Sequence, residues 1–147
     1  TLGQEFCDSK KIQQLSHLLE EHVRPQLNSN NLIPSLAIEG VLPTKDISFP
    51  LYEAVNKLAP FGIGNPVPVF VSKQVDIVKG PWILKDQHLK MQIESDGAYL
   101  DAIWWKNGAV ADTIIPGSEI DLAYTMSRNS YLGKEKLLLT IQDMNLP

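Results

Sequence analysis

HLKMQIESDGAYLDAIWW, residues 88–105, carries the pattern that decides the fold. Its first half alternates. In an extended chain Leu89, Met91 and Ile93 fall on one side, and His88, Lys90 and Gln92 on the other. Ser95-Asp96-Gly97 is turn chemistry, and Ala98–Trp105 is a second run rich in apolar residues. The spacing predicts a tight antiparallel hairpin with one buried face.

Working outward, Phe70–Val78 alternates with Phe70, Val75 and Ile77 apolar, and reads as a strand before the hairpin. Glu119–Met126 and Glu135–Asp143 read as two strands after it, with one or two helical turns over Asn107–Thr113. Three strands, a short helical connection and two strands is the order of a five-stranded Greek-key barrel of the OB type. An SH3-like barrel competes, but it has short connections throughout. Upstream, residues 8–27 repeat Ile12, Leu15, Leu18, Leu19 and Val23 at helical spacing. Asp8 or Ser9 is placed to cap that helix, and Pro25 with the polar run Asn28–Asn31 ends it. Ser35–Leu42 reads as a short strand and Pro50–Leu58 as a short helix with proline in its first turn. The expected fold class is mainly β with an N-terminal α/β segment.

Between that helix and the first barrel strand lies PFGIGNPVPVF, residues 60–70. It is no phosphate cradle, because phosphate loops run from a strand into a helix, and this one runs the other way without a lysine. As a shaped connector it makes sense. Gly62 is expected to end the helix in a left-handed conformation, Gly64-Asn65 to permit a sharp turn, and Pro66 and Pro68 to hold the chain extended.

The chain has 147 residues, 44% of them hydrophobic, which is enough for a packed core. Its single cysteine, Cys7, excludes an internal disulfide and a multi-cysteine zinc site. No apolar run approaches the roughly 20 residues that span a bilayer. The opening TLGQEFCDSK is no signal peptide, and without an initiator methionine it reads as a piece of a longer, cytoplasmic protein. A formal net charge of −4 weighs against a strong grip on phosphates.

Catalysis has little to work with. His17, His22 and His88 show no metal-ligand spacing with carboxylates, Asp96, Asp101 and Asp112 are isolated, and Cys7 has no base partner. No nucleophile-elbow, zinc-protease or Walker pattern occurs. Strand binding has more. OB barrels hold single strands across their second and third strands and through two flanking loops. His88, Lys90 and Gln92 point outward, and Trp104 is set beside them, a parity that puts Asp101 on the face of Ile103 unless a bulge intervenes. The loop Gly80–Gln87 offers Trp82 and Lys85. The loop Ser127–Lys134 offers Arg128, Tyr131 and Lys134, with Lys136 just after. Against this, Trp82 and Trp105 read equally as core or rim residues and the lysines as solvated.

LAPFGIGNPVPVF (58–70), HLKMQI (88–93), LDAIWW (100–105) and NSYLGKEKLLLTIQDM (129–144) together resemble the C-terminal part of the RecJ family of single-stranded-DNA-specific exonucleases. The resemblance implies that residues 1–59 are the tail of a DHH-associated domain. It makes residues 60–70 a linker motif carried by Pro60, Phe61, Gly62, Gly64, Asn65, Pro66, Pro68 and Phe70, and residues 71–147 the OB barrel. It implies a parent enzyme that degrades single-stranded DNA 5′→3′ with Mn²⁺ or Mg²⁺ in repair and recombination. The family's Asp-His-His and Gly-Gly-His motifs lie upstream and are absent, so no catalytic or metal residue carries over and the chain is expected to be inactive alone. In the family the Trp104 position is often small, and Tyr131 stands where an aromatic is common.

Two functions follow as expectations. One is a substrate-holding domain for single-stranded DNA. The other is an interaction module for single-strand-binding protein or another repair partner, taking an acidic, aromatic-ended peptide. The chain is expected to be monomeric and away from membranes.

Overall fold

The computed structural model describes residues 9–27, 34–95, 97–131 and 133–145. Asp8, Cys7, Asn28–Asn31 and the turn residue Asp96 lie outside them. Two compact units are present, divided between Leu36 and Ala37. The first contains α1 (Ser9–Val23), which continues as a short 3-10 turn over Arg24–Gln26. Its apolar stripe, Ile12, Leu15, Leu18, Leu19 and Val23, is exposed.

The second unit contains β1 (Gly40–Val41), α2 (Phe49–Asn56), β2 (Phe70–Leu84), β3 (His88–Ser95), β4 (Ala98–Trp104), β5 (Glu119–Tyr131) and β6 (Lys134–Asn145). The sheet runs β1-β2-β3-β4-β6-β5, and β5 returns to pair with β2. Five strands thus close into an OB barrel, and β1 is added in parallel outside β2. Closure explains the length of β2. Its first part pairs with β5 and its second part with β3, the two ladders meeting at Asp76 just after a register shift against β5 between Ser72 and Val75.

The alternation of residues 88–94 places the core as expected. Leu89, Met91 and Ile93 are fully buried, with Val75, Ile77, Leu122, Tyr124 and Leu139 from the other strands. Ala111 and Ile114, on and just after a 3-10 turn over Gly108–Thr113, complete the core from the connection between β4 and β5. Tyr124 brings a hydroxyl into this core, and Ser72 Oγ meets it at 2.8 Å. Burial pushes the phenol up to about 12, and the Ser72 hydrogen bond opposes that shift only in part.

Upstream elements differ from expectation in extent. The strand expected over Ser35–Leu42 shrinks to Gly40–Val41, extended at its ends by Glu39 N–H to Val69 O and Leu42 N–H to Val71 O, both at 2.8 Å. A parallel strand on a barrel edge lasts only while it lies beside β2. The short helix forms with Ser48 as its cap, its Oγ accepting from the Leu51 N–H at 3.4 Å. Leu51, Tyr52 and Val55 pack against the barrel core, and Ile47 is part of it. Residues 37–59 therefore share one compact unit with the barrel.

The connector departs from expectation in mechanism. Gly62 does not end the helix and neither Gly62 nor Gly64 is left-handed. The helix already stops at Asn56, its last carbonyls met by the N–H groups of Lys57, Leu58 and Ala59. The motif instead closes on itself. Gly62 and Asn65 exchange two backbone hydrogen bonds, of 2.8 and 3.1 Å, and the Asn65 side chain donates to Leu58 O at 2.8 Å and Pro60 O at 3.0 Å.

Candidate nucleic-acid interface

Residues opposite each other in an antiparallel ladder point to the same face. Across β2 and β3, Trp82 stands opposite Lys90, Lys79 opposite Gln92, and Leu84 opposite His88. Across β3 and β4, Lys90 stands opposite Ile103 and Gln92 opposite Asp101. His88, Lys90 and Gln92 thus face outward, and Trp82 stands with them, 46% exposed. Trp82 belongs to β2 and not to a loop, because β2 runs on past the Gly80-Pro81 irregularity to Leu84. The connection that follows is only residues 85–87, where Lys85 is exposed.

Trp104 is a correction. It pairs with the buried Leu89, faces inward and packs against the core. Its neighbour Trp105, 49% exposed, meets the His88 ring edge-on with centroids 4.9 Å apart. His88 Nδ1 accepts the Lys106 N–H at 3.0 Å, which ties the start of β3 to the chain just beyond β4. With Trp104 inward the expected parity reverses: Asp101 and Ile103 share the outer face and not the inner one, and the β3–β4 ladder carries no bulge.

The expected Ser127–Lys134 loop is also mostly strand. β5 and β6 continue as a two-stranded arm to the pair Tyr131–Lys134. Asn129 stands opposite Lys136, on the same arm face as Lys134. Arg128 alternates to the other face and lies 3.6 Å from Glu135, both side chains about half exposed. The Tyr131 side chain lies outside the described residues.

Folding brings the two lysines of the arm over the sheet. Lys90, Asp101, Asn129, Lys134 and Lys136 line one cleft of about 330 Å³. On its floor Lys90 Nζ is 3.3 Å from Asp101 Oδ2, and Gln92 Nε2 donates to Asp101 Oδ1 at 3.2 Å. Among the described residues neither Lys134 nor Lys136 forms an ion pair. The face thus combines exposed indoles with two uncompensated ammonium groups, the means by which single strands are stacked and held.

Of the residues singled out in the sequence, Trp82, His88, Lys90, Gln92, Lys134 and Lys136 lie on this side of the barrel. Lys79, Trp105, Asn129 and the Asp101 floor join them unforeseen. Among the described residues no three of His, Cys, Asp and Glu cluster to hold a metal ion. No helix among them is long and apolar enough to cross a membrane.

Comparison with known proteins agrees with this architecture. Residues 38–143 match the family described as the RecJ OB domain. The chain is 30% identical over 138 residues to the single-stranded-DNA-specific exonuclease RecJ of Bacillus subtilis, covering 92% of this chain and 17% of that protein. It superimposes on RecJ of Thermus thermophilus in complex with Mg²⁺ with a TM-score of 0.64 at 21% identity, covering 95% of this chain and 21% of that one. The Mn²⁺ complex of the same protein gives 0.62. The chain therefore spans about a fifth of these relatives.

Proposed function

The chain belongs to the RecJ OB domain family, and from that premise we propose that it is the strand-holding part of a larger exonuclease, binding single-stranded DNA on the outer face of β2, β3 and β4 beside the β5–β6 arm. One observation carries the proposal. Trp82, exposed, is the ladder partner of Lys90, and Lys90 opens into the cleft of Lys134 and Lys136. Stacking on such rings is indifferent to sequence, because every base has a π-face. A duplex hides those faces, so the site favours unpaired strands.

Binding is expected to be weak, roughly micromolar or weaker, because few cations are uncompensated and the net charge is −4. The cleavage chemistry, with its Mn²⁺ or Mg²⁺, is assigned to parts of the longer enzyme outside this chain. Within it the compact motif of residues 60–70 joins α2 to β2 inside the same unit that holds the strand. The role in repair and recombination, in the cytoplasm, belongs to the same reading.

Titration of the chain with a labelled single-stranded oligonucleotide at low and moderate salt, with a duplex control, tests the proposal. Preference for the single strand, falling with salt, supports it. Binding of an acidic, aromatic-ended peptide that oligonucleotide does not displace would move the function to protein docking, with single-strand-binding protein as the natural partner.

A further inference from the structure

The lysines of the cleft are not equivalent. Lys90 is held against Asp101 at 3.3 Å, whereas Lys134 and Lys136 have no ion-pair partner among the described residues. A phosphate brought to Lys90 would approach the Asp101 carboxylate as well, and the repulsion would offset the attraction. The two lysines of the arm carry no such penalty.

The floor has other uses. Asp101 takes one hydrogen bond from Gln92 and one ion pair from Lys90, and a carboxylate has about four lone-pair sites, so acceptor capacity remains. Base edges carry N–H donors that such an oxygen accepts, and base faces suit the exposed Trp82 ring opposite Lys90. Sugar and phosphate offer Asp101 much less.

We infer that the Lys90–Asp101 pair marks the base side of the site and Lys134 with Lys136 the phosphate side. Asp101 is a positioning residue. By occupying Lys90 it removes a phosphate contact from the floor, turning the bases toward Trp82 and Gln92 and the backbone toward the arm. This deepens the single-strand reading and rests on it.

The slope of log affinity against log salt tests it, since each phosphate contact on a single strand contributes about 0.7 to that slope. The unmodified chain, Lys90→Gln, Lys134→Gln, Lys136→Gln and Asp101→Asn are titrated with one mixed-sequence single-stranded oligonucleotide, after thermal melts show each variant folded. Lys134→Gln and Lys136→Gln are each expected to lower the slope by about 0.7. Lys90→Gln is expected to weaken binding at every salt without changing the slope. Asp101→Asn, which releases Lys90, is expected to steepen the slope by about 0.7 and tighten binding at low salt. A Lys90→Gln slope reduced as much as that of Lys134→Gln, or an unchanged Asp101→Asn slope, overturns the inference alone. Absence of binding by the unmodified chain overturns the single-strand reading and the inference with it.

Discussion

Leu89 and Trp104 stand opposite one another in the β3–β4 hairpin, and both point into the barrel. The next residue, Trp105, turns outward against His88. Two adjacent tryptophans therefore have opposite roles, one in packing and one in the proposed interface. Trp104→Ala is expected to cost about 3 kcal/mol in urea denaturation, as truncating a large core side chain does. Trp105→Ala should cost under about 1 kcal/mol and reduce DNA affinity instead. Equal losses of stability would show that both rings pack.

Trp82 is an exposed ring and the ladder partner of Lys90 in the cation cleft. Stacking of one base on an aromatic contributes about 1–3 kcal/mol. Trp82→Ala should therefore weaken single-strand binding by roughly 5- to 100-fold with the melting temperature little changed. A surface ring without a stacking role would leave the affinity where it was.

Arg128 makes the opposite case. It sits across the arm from Lys134 and Lys136 and pairs with Glu135. Exposed pairs of this kind contribute about 0–1 kcal/mol. Arg128→Ala is expected to leave DNA affinity within about two-fold, since only its long-range charge is lost. A loss matching that of Lys136→Gln would put the strand on both faces of the arm.

Gly80 is the glycine whose conformation shapes the site. Its φ is +97°, and a Cβ there would lie 3.0 Å from Lys90 O, 3.1 Å from Met91 Cα and 3.2 Å from Trp82 Cε3. Gly80→Ala must push β2 from β3 and move the Trp82 ring. It should cost about 2 kcal/mol and lower DNA affinity together. Gly64, with no neighbour within 4 Å and no positive φ, should accept alanine with the melting temperature unchanged.

Tyr124 gives the barrel an alkaline limit. In the unfolded chain the phenol ionises near 10, but in the core it stays protonated to about 12. Above pH 10 the unfolded state therefore binds fewer protons, and stability falls as pH rises through 10 to 12. The gap corresponds to about 2–3 kcal/mol by the upper end of that window. Tyr124→Phe should lack this fall. In urea titrations the stability difference between the two chains should stay constant up to about pH 10 and then shift against the unmodified chain; a difference constant to pH 12 would place the phenol in water.

The hairpin was legible because burial and alternation agree: Leu89, Met91 and Ile93 could face only one way in a half-buried strand. Its register was legible too, though only through the turn. With Asp96-Gly97 as a two-residue loop, Ser95 pairs with Ala98, and counting back along both strands sets Leu89 against Trp104. Setting Trp104 beside the outward residues of β3, without that count, put the wrong ring outside. Strand ends were less legible. Gly80-Pro81 and SRNSYLGK carry turn chemistry, yet strand runs on through the first and over Ser127–Tyr131 of the second, because ladder hydrogen bonds form whether or not the side chains beside them are apolar. The Lys90–Asp101 floor joins residues of neighbouring strands and depends on that same register. The closure of Gly62 on Asn65 depends on a helix end that the prolines and glycines did not mark.

The indole N–H resonances of the three tryptophans test the central claim most directly. A labelled sample titrated with single-stranded oligonucleotide should move the Trp82 and Trp105 signals and leave Trp104 in place, with duplex moving none of them at the same concentration. A Trp82 signal that stays fixed while the oligonucleotide binds would put the strand elsewhere on the barrel and contradict the account.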